Sequence, residues 1–411
     1  MMNKVVVTGL GCITPVGNDV RSFWQSLIEG RHGFGPITKF DASGLKVQVA
    51  AEVKNFDPAD YIEKSEIKKT DLYAQYAIAA ASQAVEESAI CGHIAPERLG
   101  VYIGSGIGGM NTFVSETEKM LTKGPGRISP FFIPMMIANM ASALVAIKYQ
   151  AQGPSLPIVT ACATSSHAIG EAFRAIKHGY ADAVICGGAE ATINPLAIGG
   201  FTNSMALSHS NEPDICSLPF DRRRSGFVMG EGAGVIVLEE YQHAFDRGAP
   251  IYCEISGYGN TCDAYHITAP HPEALGCKRM IELALTEAGV KADAGLYINT
   301  HGTATPLNDK IETLAIKLAL GDMAYKLPIS STKSMTGHML GAAGGVEAIA
   351  AIKALQSGII PPTAGYLEAD PDCDLDYVPN IARREAITKA LSLSLGFGGQ
   401  NAGILFNAIA R

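Results

Sequence analysis

Short apolar runs that end in glycine alternate along this chain with longer segments whose apolar residues recur at helical spacing. Val5-Val6-Val7 running into Thr8-Gly9-Leu10-Gly11 predicts a buried strand that ends in a turn, and Asn18 to Ile28 a helix. Ser65 to Ser88 predicts a longer helix, with Lys68 and Lys69 near its start and a close-packing face of Ala77, Ala79, Ala80 and Ala81. LGVYIGSGIGG reads as a strand and a glycine loop, and Pro157-Ile158-Val159-Thr160 as a strand leading to Cys162. From Ala163 to Gly179, the spacing of Ile169, Phe173 and Ile176 predicts a helix stopped by glycine. A further strand, Ala183 to Cys186, ends in Gly187-Gly188.

Near residue 250 the pattern begins again. IYCEISGYGN is a strand and turn, Pro272 to Gly289 a helix, Leu296 to Asn299 a strand, and Asp309 to Leu320 a helix capped near Asn308 or Asp309. Two halves, 1–250 and 251–411, each alternating strand and helix, predict an α/β fold built by internal duplication. Residues 127–150 are nearly uncharged and carry Phe131-Phe132 and Met135-Met136, a composition that fits deep core or an interface between subunits.

Composition narrows the function. Of 411 residues 47% are apolar and 18% charged, enough for a large core, and 32 basic against 40 acidic residues speak against nucleic-acid binding. Nine scattered cysteines without a C-x-x-C pair make a poor disulfide framework and a poor structural zinc site, which points to a reducing compartment. The N-terminus shows no leader-like segment and no apolar run reaches membrane-spanning length, so a cytoplasmic protein is expected. Gly104, Gly106 and Gly109 satisfy G-x-G-x-x-G after a strand, but no acidic residue closes a second strand about 20 residues on. The motif therefore reads as a tight turn beside a pocket, without a nucleotide.

The candidate chemistry is carried by one cysteine and two histidines. Cys162 falls where a strand gives way to a helix, and unpaired N–H groups at a helix N-terminus favour a thiolate and could hold an oxyanion. His301, in NTHGTATPLND, and His338, in STKSMTGHMLGAAGG, occupy similar loops. A thiolate takes an acyl group as a thioester, and two imidazole N–H groups stabilise an enolate on a second thioester. A cysteine hydrolase needs only one histidine, so the pair favours carbon–carbon bond formation.

TACATSSHAIGEA, THGTATPLNDKIET, STKSMTGHMLGAAGGVEA and GFGGQN, with GFVMGEGAGVIVLEE and AYHITAPHPE, resemble the signature segments of the β-ketoacyl-[acyl-carrier-protein] synthases with a Cys-His-His triad, the type II elongation enzymes in particular. The resemblance spans almost the whole chain. It implies a thiolase-like five-layer αβαβα fold from two duplicated halves, a homodimer, and decarboxylative condensation of an acyl chain with malonyl-[acyl-carrier protein] in fatty-acid elongation. Cys162 matches the nucleophile, His301 and His338 the pair that supports decarboxylation, and Lys333 and Glu347 supporting polar residues able to form a buried pair. Phe397 matches both an oxyanion-hole N–H and the gatekeeper of the acyl pocket.

By the same resemblance Ile107 and Phe201 line that pocket, and Phe132 and Ile133 reach it from the partner subunit. Thr303 and Thr305 bind the phosphopantetheine arm, and Lys68, Lys69 and Arg127 lie at the docking surface for acidic acyl carrier protein. No bound cofactor or metal is implied, since the carrier protein brings the substrates. Three positions depart from the family pattern: Leu395 stands for a phenylalanine, Gln400 for a threonine or histidine, and Met205 for a docking arginine. They keep open a second expectation, a ketosynthase of a specialised type II polyketide or polyene pathway. A catalytically silent partner subunit is disfavoured because all three triad residues are present.

Overall fold

The computed structural model describes residues 2–409. Nine strands form one continuous sheet: β1 (Val5–Ile13), β2 (Leu99–Gly104), β3 (Ala183–Glu190), β4 (Gly232–Glu240), β5 (Cys253–Cys262), β6 (Leu296–Asn299), β7 (Ile329–Ser330), β8 (Lys389–Gly396) and β9 (Gln400–Asn407). Their spatial order is β2-β3-β4-β1-β5-β9-β8-β6-β7. The two halves meet where β1 pairs antiparallel with β5, from Val5 opposite Ile255 to Val7 opposite Cys253. Outward from that seam each half runs first strand, last strand, third, second, with β7 added to the edge of the second half. This repeat of topology is the duplication that the strand-and-helix pattern predicted.

Six helices complete the layers: α1 (Leu72–Ser88), α2 (Met140–Tyr149), α3 (Thr164–Lys177), α4 (Leu275–Glu287), α5 (Pro306–Leu320) and α6 (Ala343–Ser357). Strand side chains alternate between faces, so one strand feeds two cores. Ile185 and Val237 pack with α1 and α2 on one outer side. Val184 and Ile236 pack with α3 and α6, which also cover Ile255, Ile404 and Phe406 of the second half. Leu296, Leu391 and Leu405 pack with α4 and α5 on the other outer side. The result is five layers, αβαβα, with α3 and α6 buried between the sheet halves. Ile169, Phe173 and Ile176 of α3 are at most 2% exposed, each contributing about 1.5–3 kcal/mol of burial. Truncating Phe173 to alanine would open a void in the middle layer.

Several expected turns are strand. The chain does not turn at Gly9 and Gly11 but continues to Ile13, because these glycines admit a helix backbone: a Cβ on either would lie 2.0 Å from the carbonyl oxygen of Ala84 or Ala80 in α1. The second half repeats the device, with Gly257 and Gly259 of β5 against the carbonyls of Ala284 and Met280 in α4, at 2.0 and 1.9 Å. Gly187 and Gly188 likewise lie inside β3.

Other boundaries moved as well. The helix expected over 65–88 is broken into Lys64–Ile67 and α1, since the Asp71 carboxylate caps α1 by accepting the Tyr73 N–H. Residues 157–160 are extended chain outside the sheet, where the Thr160 N–H goes to the Thr164 hydroxyl at 2.9 Å; the backbone hydrogen bonds to β2 come before them, from Gly153, Pro154 and Leu156. α5 starts at Pro306 with Thr305 as its cap, earlier than Asn308 or Asp309. A helix, Met110–Lys123, follows the glycine loop after β2. The run 127–150 is not deep core within one chain, for Ile133 and Ile147 are 55% and 72% exposed.

Candidate active site

Cys162 sits in a tight turn, Ala161–Ala163, that feeds α3. Ala161 adopts a left-handed φ of 49° directly before it, a conformation that a side chain resists and that the surrounding packing has to hold. The turn lies close against β2, where a Cβ on Gly104 would lie 2.0 Å from the Ile158 carbonyl oxygen. His301 follows β6. Its N–H and that of Gly302 each donate at 2.7 Å to the Glu312 carboxylate, which α5 turns back beneath the loop. His338 is fixed by its backbone: its N–H donates to Val228 at 2.7 Å, and its carbonyl accepts from Gly230 at 2.8 Å.

These three side chains converge. Their donor atoms all lie within 4.8 Å of one another and all three residues are buried. The imidazole rings meet edge to face, 5.2 Å apart at 88°, and Phe227 stands edge-on to His338 at 5.0 Å. All three face one cavity of about 330 Å³, also lined by Phe201, Phe397, Thr303 and Thr305. Met205 and Leu395, two of the positions that depart from the family pattern, line it too.

Lys333 braces the site from behind. Its ammonium donates to the His301 carbonyl at 2.6 Å, approaches His301 Nδ1 at 3.4 Å, and forms an ion pair with Glu347 that leaves both side chains 2% exposed. An ammonium carries only donors, so the Nδ1 atom it faces accepts and the ring proton belongs on Nε2. Burial, with the Lys333 charge beside it, holds both histidines well below the ordinary imidazole range. At neutral pH they are therefore uncharged N–H donors.

The sulfur corrects the sequence-based expectation. A thiolate was expected at Cys162, yet burial pushes its thiol up to about 11, against the smaller opposing pull of the Phe397 N–H and of Lys333. The reason is desolvation: enclosing the sulfur penalises the anion by more than two favourable contacts return. The free site accordingly stores a thiol. Burial similarly raises Glu347 to about 7.

The remaining expected residues are dispersed. Ile107, 41% exposed, does not line the cavity in the single chain, nor do half-buried Phe132 and exposed Ile133, both on the helix Phe132–Met136. Lys68 and Arg127 are exposed on the surface, while Lys69 bonds Glu66 at 2.7 Å and lies over the Phe131 ring at 5.7 Å. Two carboxylates went unnoticed in the sequence. Glu312 holds the His301 loop, and fully buried Glu190 accepts from Gly106 at 2.9 Å and from Gly341 at 3.0 Å, tying the glycine loop to the turn after His338. Only the position of Glu312 on the helix just after the His301 loop hinted at its part.

Comparison with known proteins identifies the family. The family models for the beta-ketoacyl synthase N-terminal and C-terminal domains match residues 2–244 and 252–367. The chain is 51% identical to the 3-oxoacyl-[acyl-carrier-protein] synthase 2 of Synechocystis sp., covering 98% of this chain and 97% of that protein. It is 49% identical to the enzyme of the same name from Coxiella burnetii, with 99% of each covered. Among solved structures, a beta-ketoacyl synthase from Burkholderia phymatum superposes with a TM-score of 0.92 at 32% identity, and the ishigamide ketosynthase/chain length factor with 0.94 at 36%, each over 100% of both chains. A type II polyketide ketosynthase in complex with its acyl-carrier protein matches at 0.91 and 34%, again over 100% of both chains.

Proposed function

This chain belongs to the β-ketoacyl synthase family, and from that premise we infer how its residues divide the work of the reaction. The protein condenses an acyl chain with malonyl-[acyl-carrier protein] to give a 3-oxoacyl-[acyl-carrier protein] in fatty-acid elongation, and the observation that carries this reading is the convergence of one sulfur and two imidazoles on a single cavity. In the first half-reaction the Cys162 sulfur attacks the acyl thioester. The N–H groups of Cys162 and Phe397 hold the oxyanion, and the departing phosphopantetheine thiolate takes up the proton that the Cys162 thiol gives up.

In the second half-reaction malonyl thioester loses CO₂, and the electron pair of the broken bond becomes an enolate. His301 and His338, as neutral donors, hold its oxygen. The enolate carbon then attacks the Cys162 thioester, the new carbon–carbon bond forms, and the Cys162 sulfur leaves and takes up one proton from solvent. Lys333 and Glu347 keep the His301 ring in its donating tautomer. Thr303 and Thr305, whose hydroxyls lie 3.1 Å apart at the cavity wall, bind the phosphopantetheine arm. Phe397 and Phe201, 6.4 Å apart between ring centres, part to admit the acyl chain.

The carrier protein docks on a basic surface that includes Lys68, Lys69 and Arg127. The working form is a homodimer in which the exposed apolar segment around Phe132 and Ile133 meets its partner and completes the acyl pocket with Ile107. Nine free cysteines support a reducing compartment and with it the cytoplasm, and among the described residues no helix is long and apolar enough to cross a membrane. The division into halves falls at 250/251. The test is condensation with a panel of acyl-carrier proteins, read by mass spectrometry: wild type gives the 3-oxoacyl product, and Cys162→Ala gives none. Condensation unchanged in Cys162→Ala overturns the reading. Leu395 and Met205 at the cavity support a second one, a specialised polyketide or polyene ketosynthase, which a clear preference for ordinary saturated chains in the same panel refutes.

A further inference from the structure

The donor set that performs the reaction is also a set of metal ligands. One sulfur and two imidazole nitrogens, mutually within 4.8 Å, lie at most about 2.8 Å from a common centre. Zinc binds sulfur at about 2.3 Å and imidazole nitrogen at about 2.0–2.1 Å, so each side chain would move inward by about 0.5–0.8 Å. Small side-chain rotations supply that much. Cysteine and histidine are the donors a borderline-soft ion prefers, and a site with three protein ligands and an open fourth position facing a cavity is the pattern of an accessible zinc centre.

Two further features favour the capture. Lys333 faces His301 Nδ1, which leaves Nε2 to coordinate, and Glu347, paired with the Lys333 ammonium, offsets part of the positive charge that an incoming dication meets. His338 Nδ1 is buried and has no hydrogen-bond partner, so nothing in the fold competes through that nitrogen for the ring.

We propose that Cys162, His301 and His338 form a binding site for zinc, which holds the resting protein through Sγ and two imidazole nitrogens and excludes acylation. The S–H bond breaks, a Zn–S bond forms, and the proton passes to solvent; nothing is oxidised or reduced. Water or another small donor takes the fourth position on the cavity side. While the metal is bound, the sulfur cannot attack a thioester and the imidazoles cannot hold an enolate, so metal and acyl group exclude one another. The inference concerns metal binding alone and stands apart from the identity of the acyl substrate.

The test uses the purified full chain titrated with Co²⁺, a spectroscopic stand-in for zinc. The expected result is one ion per chain with a sulfur-to-metal charge-transfer band, lost when Zn²⁺ displaces the cobalt and absent in Cys162→Ser. Protein alkylated at Cys162 should also lack the band, which guards against a variant that fails to fold. His301→Ala and His338→Ala should each bind at least tenfold more weakly, and the double variant Cys91→Ser/Cys262→Ser, which lacks the two exposed thiols, should bind as wild type does. A band that survives in Cys162→Ser or in alkylated protein, affinity unchanged by loss of either histidine, or no saturable binding overturns the proposal.

Discussion

Replacing Lys333 with methionine keeps most of the side-chain volume and removes the charge that Glu347 faces. Both side chains are 2% exposed, and Glu347 Oε2 has no partner even in the intact pair. Breaking a buried pair by removing one member costs about 3–5 kcal/mol when the other stays ionised. Glu347 need not stay ionised, since it titrates at about 7 even beside the lysine. Without Lys333 its pKa moves higher, and at neutral pH the variant protonates it and escapes the largest penalty.

A raised carboxyl pKa means that stability falls as pH rises from the unfolded value, about 4.3, to the folded one, and then levels off. In wild type this loss is complete near pH 7. In Lys333→Met it continues upward at about 1.4 kcal/mol per pH unit. The destabilisation of the variant should therefore be about 2 kcal/mol greater at pH 8.5 than near pH 6. Urea unfolding of both proteins at equal concentration and at the two pH values measures it, and groups common to both cancel. A destabilisation that is flat with pH, or smaller at pH 8.5, refutes the argument.

Three further outcomes follow from the geometry. Alkylation of Cys162 by iodoacetamide should be slow at pH 7 and rise about tenfold per pH unit toward an apparent pKa of about 11; a plateau below pH 8 would show a stabilised thiolate instead. Gly259→Ala places a methyl 1.9 Å from the Met280 carbonyl oxygen and should cost about 1–3 kcal/mol or more by forcing α4 off β5, seen as a lower unfolding midpoint; an unchanged midpoint would mean that the helix is free to shift. If Phe397 gates the pocket as proposed, Phe397→Ala should speed acyl transfer from short-chain acyl-carrier protein relative to the condensation step, because the ring is gone while the backbone N–H remains; stopped-flow acylation slower than wild type speaks against the gate.

Much of this protein was written in local sequence. The alternation of apolar runs with helical periodicity fixed the α/β class and showed the restart near residue 250, because both are properties of neighbouring residues. The two histidine loops and Cys162 stood out by residue type and setting. Other features belong to residues that meet only after folding. Gly9, Gly11, Gly257 and Gly259 looked like turns because nothing nearby shows that α1 and α4 will press their carbonyls against those strands. Glu190 was silent because the N–H groups it holds lie 84 and 151 residues away, whereas Glu312 reaches back only 10 and 11 residues and was hinted at by its place.

The thiolate expectation failed for the same reason: the position of Cys162 before a helix is local, whereas the burial that outweighs it is assembled from segments across the chain. By itself the sequence determined the α/β class and singled out the one cysteine and two histidines that the fold brings together. Only the tertiary structure decided the protonation state of the sulfur, the ring tautomer of His301 and the spacing of the donors, since desolvation and hydrogen bonding between distant segments do not exist until the chain is packed.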